Sequence, residues 1–123
     1  MPTTHIIAFK LKEGTDLVAA RALFEKAFDF KATVLQALTF HQDLCKKPDG
    51  ALYVRGVRGG KQVTEGLLGQ IAKGWEWAFV FEFANTDDLQ YFLLKDPEHQ
   101  KFAASFRPLL ADATALTFDD KVF

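Results

Sequence analysis

Polar and apolar residues alternate with period two from Thr4 to Lys12. His5, Ile7, Phe9 and Leu11 fall on one side; Ile6, Ala8, Lys10 and Lys12 fall on the other. That period predicts a strand. Glu13-Gly14-Thr15 end it, and Thr15 is placed to cap a helix opening at Asp16, with Leu17, Ala20, Phe24 and Ala27 on one stripe. Between Lys31 and Lys47, the spacing of Leu35, Leu38, Gln42 and Cys45 fits a helix face better than a strand, with His41 beside that face. Pro48-Asp49-Gly50 is turn chemistry, and a second strand is expected from Leu52 to Val57 or a little beyond. Gly66, Gly69 and Gly74 mark the stretch from Lys61 to Gly74 as a connection with room for one helical turn. The clearest strand follows. Trp75, Trp77, Phe79, Phe81 and Phe83 share one side of it; Glu76, Ala78, Val80, Glu82 and Ala84 share the other. One helix then starts at Asn85 or Thr86, a second is capped by Asp96 with Pro97 in its first position, and Thr114–Phe118 is the last strand.

The order β-α-(α)-β-β-α-α-β predicts an α+β fold: a ferredoxin-like split βαβ unit with a four-stranded antiparallel sheet and helices on one face. One domain is expected over residues 1–123. The small residues Ile6, Ala8, Ala78 and Val80 suit close helix packing, which would leave the ring row on the bare face. Five rings on one exposed strand exceed the apolar patch that soluble monomers carry, so a second copy is expected to cover them as a homodimer.

Composition narrows the class. The chain of 123 residues is 49% apolar, enough for a core without staples, and holds 13 phenylalanines, two tryptophans and two tyrosines. So many rings suggest a core, an interface or a pocket built from aromatic side chains. The formal charge of −1 gives no basic field for nucleic acid or anionic lipid. One cysteine, Cys45, allows no internal disulfide, and no apolar run approaches a membrane span or a signal-peptide core. A soluble cytoplasmic protein is expected, with no nucleic-acid or membrane partner.

Chemistry gathers around the three histidines. His99, Phe102, Ala103 and Phe106 are spaced i, i+3, i+4, i+7, which aims the imidazole at the apolar interior. Near the positive end of a helix and in an apolar setting, that ring should stay neutral and able to accept a proton. A structural role is the alternative: His99 could close the helix N-terminus or bond Asp96 across one turn. His5 shares the inner face with Ile7 and Phe9; it could donate to a substrate or to His99, or be a satisfied core histidine. No histidine spacing suits a metal, and Gly59-Gly60-Lys61 lacks the Gly-Lys-Ser/Thr of a P-loop, so neither metal nor cofactor is expected.

Three segments in order, HIIAFKLKEG at the start, GWEWAFVFEFAN in the middle and DPEHQKF near the end, resemble the stress-responsive A/B barrel (Dabb) family. The resemblance covers nearly the whole chain and implies a dimeric α/β barrel with an apolar cavity in each subunit. The longer segment from Lys31 to Gly60 is similar to fungal members. A plant member is a cofactor-independent polyketide cyclase whose catalytic histidine falls on His99, while its partner tyrosine falls on Leu93. A pocket histidine falls on His5 and another on Trp77. The resemblance therefore implies cofactor-free cyclase, isomerase or lyase chemistry on a small hydrophobic metabolite such as a polyketide. His99 and His5 would be the catalytic pair, with Ile7, Phe9, Trp77, Phe79, Leu93 and Phe102 shaping the substrate pocket. The alternative is a non-catalytic stress-responsive or ligand-binding protein.

Overall fold

The computed structural model of the chain describes residues 1–30 and 45–123. Strand β1 (Thr3–Leu11) leads into helix α1 (Leu17–Phe28); β2 (Val54–Lys61), the short helix α2 (Leu67–Ile71) and β3 (Trp77–Phe83) follow. Helices α3 (Thr86–Leu94) and α4 (Pro97–Phe106) and a 3-10 turn at Arg107–Leu109 lead into β4 (Leu110–Asp119). The four strands form one antiparallel sheet in the order β2-β3-β1-β4, the ferredoxin-like α+β arrangement. Among the described residues, no helix is long and apolar enough to cross a membrane.

Local chemistry sets the element ends. Asp16, rather than Thr15, caps α1: its carboxylate accepts from the amides of Val18 and Ala19, while the Thr15 hydroxyl donates back to the Lys12 carbonyl. Asn85 caps α3 through the Asp88 amide, and Asp96 caps α4 through the Glu98 amide with Pro97 in the first turn. The helix expected over Lys31–Lys47, with Leu35, Leu38, His41 and Gln42, lies outside the described residues as far as Leu44. Its last positions are not helical, since Lys46 bridges Leu52 in antiparallel fashion.

The two faces of the sheet are the reverse of the expected assignment. Phe79, Phe81 and Phe83 are buried beneath the helices, in register with Ile7, His5 and Thr3 of β1. Their cover is itself aromatic. Phe9 packs between Phe24, Phe79 and Phe106 at centroid distances of 5.6, 5.9 and 4.9 Å, and Phe92 packs on both Phe81 and Phe83. Ring-on-ring packing at these distances adds to the roughly 1.5–3 kcal/mol that burying each such side chain contributes. Gly59 is forced by the same layer: a Cβ there would collide with the Phe79 ring across the β2–β3 pair.

The open face carries the small row instead. Val80, Ile6 and Leu116 lie side by side in register across β3, β1 and β4, next to the Ala78–Ala8–Thr114 row. Leu116 and Phe118 are exposed. The rings need helices for cover because the helix stripes are equally large: Phe24, Phe92, Phe102 and Phe106 fill the layer that small sheet residues would have left hollow. The rings are thus covered within one chain, and a second copy is not needed to bury them.

Candidate functional site

Helix α4 presents its stripe to the ring-lined face of the sheet, and the two layers do not close completely. A cavity of about 200 Å³ remains. Its sheet wall is His5, Ile7, Phe79 and Phe81; its helical wall is Ala27, Phe92, Leu93, His99, Phe102 and Ala103. Phe106, Arg107 and Leu110 complete the lining.

The spacing of α4 delivers His99 to this wall. Its ring lies 4.0 Å from the Phe92 ring, centroid to centroid, and 6.3 Å from both Phe30 and Phe102. Among the described residues, Nδ1 of His99 is the one buried side-chain polar atom without a hydrogen-bond partner. Burial holds the imidazole well below its ordinary range, at about 4; the positive charge of Arg107 and the nearby His5 add to this, while Asp96 and the Phe92 backbone oppose it. At neutral pH the ring is uncharged, with one basic nitrogen.

Asp96 does not supply the missing partner. Its Oδ1 accepts from the Glu98 amide at 2.9 Å and its Oδ2 accepts from the Tyr53 hydroxyl. Cys45 sits beside them, fully buried, and burial raises both the thiol and the phenol out of their ordinary ranges. Among the described residues this cluster is closed upon itself, and the bond from Asp96 to His99 expected of a purely structural histidine is not formed.

His5 reaches the cavity from the first residues of β1. It is 8% exposed, and its Nδ1 shares a 2.9 Å hydrogen bond with the Thr117 hydroxyl on β4. Burial lowers its pKa as well. With Nδ1 engaged, Nε2 is the nitrogen left for a ligand.

Of the residues anticipated from sequence, His5, Ile7, Phe79, Leu93, His99 and Phe102 meet at this one cavity. Phe9 and Trp77 do not. Phe9 is fully buried behind Phe79 and Phe106, and Trp77 lines a separate open groove between α1 and the end of β2, with Leu17, Arg21, Phe28 and Lys61. The reason is ring packing: Phe24, Phe79 and Phe106 close around Phe9, and Trp77 packs on Phe24 at 4.8 Å. Sequence reasoning missed Arg107 and Thr117. Arg107 continues the α4 stripe one step beyond Phe106 and was legible there; Thr117 depends on the β1–β4 register, which no local pattern carries. Among the described residues, no three histidine, cysteine or acidic side chains cluster as a metal site would require.

The family model for the stress responsive A/B barrel domain matches residues 3–120. No curated protein sequence matches the chain. Among solved structures, a hydroxynitrile lyase from Passiflora edulis is similar with a TM-score of 0.72 at 16% identity, covering 99% of this chain and 96% of that one. A protein from Arabidopsis thaliana gives 0.68 at 17% identity, covering 98% and 97%. A dimeric ferredoxin-like protein of unknown function from Thermobifida fusca gives 0.64 at 18% identity, covering 96% and 90%. At these identities the likeness is one of fold.

Proposed function

The chain belongs to the stress-responsive A/B barrel family, and on that premise we propose that it is a cofactor-independent enzyme acting on a small hydrophobic metabolite. The reaction class is cyclisation, isomerisation or elimination, each of which begins with removal of a proton. His99 is the base and His5 the donor that orients or polarises the substrate. The observation that carries this reading is the buried Nδ1 of His99, without a hydrogen-bond partner among the described residues, on a side chain that lines an apolar cavity. A neutral imidazole in a dry pocket is competent to take a proton at physiological pH. The likeness to a hydroxynitrile lyase supports the elimination branch of this class.

The step needs little else from the protein. The ring walls exclude water and hold the apolar body of the substrate. His99 takes the proton and becomes an imidazolium. His5, fixed by Thr117, donates to the oxygen on which negative charge develops, and the proton returns from His99 to the product or leaving group.

The test uses deuterium exchange in D₂O at activated carbons of small aryl ketones and β-keto acids, together with cleavage of aryl hydroxynitriles. Wild-type protein should catalyse at least one of these, and His99→Ala should lower the rate at least ~10²-fold without loss of fold. Undiminished turnover by His99→Ala would remove the catalytic assignment and leave a ligand-binding protein.

The same reading includes a homodimer, now built on the other face of the sheet. Val80, Ile6, Leu116, Ala8 and Phe118 make an apolar surface that no element of the chain covers among the described residues. Related folds from Thermobifida fusca and Bacteroides fragilis are described as dimeric, which supports a second copy as the cover. A standard interface would bury about 800 Å² on each subunit. Leu116→Glu should shift sedimentation from dimer to monomer while leaving the helix layer folded. A wild-type chain that sediments as a monomer at micromolar concentration would overturn this.

A further inference from the structure

Among the described residues the cavity wall contains one formal charge. Its other lining residues are apolar side chains and two histidines that burial keeps neutral. Arg107 follows Phe106 at the end of α4, where the i, i+3, i+4, i+7 row of His99, Phe102, Ala103 and Phe106 reaches solvent. At i+8 from His99 it falls on the same inward stripe rather than on the outer face with Lys101 and Ser105. The residue itself is exposed, so its guanidinium keeps contact with water while its side chain forms part of the wall. Among the described residues it makes no ion pair. A cation at the rim of an apolar cavity, with no acid set against it there, is complementary to a ligand that is apolar along its length and anionic at one end.

We infer that Arg107 anchors the carboxylate of an amphipathic carboxylic acid whose apolar body fills the cavity between α4 and the sheet. This rests on the pocket being the ligand site, as proposed above, and adds the class of ligand. The orientation follows from the geometry. The carboxylate sits at the rim, the chain or ring runs inward along Phe102 and Ala103, and the carbons that reach His99 are those remote from the carboxylate. Lysine at the same position would keep the charge but lose the two-pronged contact that a guanidinium makes with a carboxylate.

The experiment compares octanoate with octanamide, and 3-phenylpropionate with its amide, by titration calorimetry on the full chain. In wild-type protein each acid should bind about tenfold more tightly than its amide, the range of a charge-assisted hydrogen bond. In Arg107→Gln that preference should vanish while the amide binds as before, and Arg107→Lys should restore part of it. Because Arg107 is exposed, melting of both variants should match wild type. Equal binding of acid and amide by the wild type, or an acid preference that survives Arg107→Gln, overturns the anchor and leaves the pocket reading standing. Binding of neither by wild-type protein overturns both.

Discussion

Asp96 and His99 stand three positions apart in the first turn of α4, both turned toward the interior, and their surroundings treat them in opposite ways. Asp96 is 1% exposed and has both carboxylate oxygens engaged, one by its own helix and one by Tyr53. His99 carries a buried nitrogen that has no hydrogen-bond partner among the described residues. A buried polar group with its bonds made holds a fold together; one without them costs about 1–3 kcal/mol, and stability alone gives no reason to keep it. The contrast separates the part of this turn that serves the fold from the part that, on the function proposed above, meets a ligand.

That contrast can be broken from either side. Asp96→Ala removes the helix cap and orphans the Tyr53 hydroxyl, so urea unfolding should show a loss of about 2–4 kcal/mol. A loss below ~1 kcal/mol would mean the cluster does not anchor α4. The next effect is a dependence on pH. The folded His99 titrates at about 4 against 6.5 for the free side chain. Between those values the unfolded chain holds a proton that the folded chain does not, so stability falls as pH drops through this window and is fully present above it. The contribution is about 3 kcal/mol, and His5 acts in the same direction. Subtracting the profile of His99→Leu from that of wild type isolates it; parallel profiles would refute it. The smallest effect has the opposite sign. At neutral pH His99→Leu should leave stability unchanged or raise it by up to about 1 kcal/mol, because it removes the unmet polar atom and keeps the packing on Phe92. A marked loss in that variant would return His99 to the structural side.

Much of this turn was legible in the sequence. Asp96 and Pro97 announce a helix start by their chemistry, and the spacing from His99 to Phe106 fixes which side of that helix faces in. The alternation of Trp77, Phe79, Phe81 and Phe83 likewise placed them on one side of a strand. What alternation cannot say is which layer lies over that side. It relates residues to one another, and the cover is decided by the volume of side chains arriving from elsewhere, here Phe24, Phe92 and Phe106. The same limit explains Phe9 and Trp77, which share the ring side of the sheet with Phe79 but are covered by the rings of Phe24 and Phe106 arriving from the helices. The Tyr53–Asp96 bond and the His5–Thr117 bond link residues 43 and 112 positions apart, and no local pattern encodes either.

The pairing of β1 with β4 also bears on how the chain acquires its shape. Thr3 to Leu11 meet partners from Asp119 back to Leu110, so the hydrogen bond that orients His5 closes one of the longest loops available to this polypeptide. Closing such a loop has an entropic cost that its contacts offset only once it is formed, and topologies of this kind fold slowly for their size. Docking of β3 on β1 is the cheaper route to begin, since it leaves β4 to arrive on a template already ordered. The histidine would then remain without its orienting partner until the final step of folding. Pulse-labelled amide exchange would find β4 protected after β3, and simultaneous protection of the two strands would rule that order out.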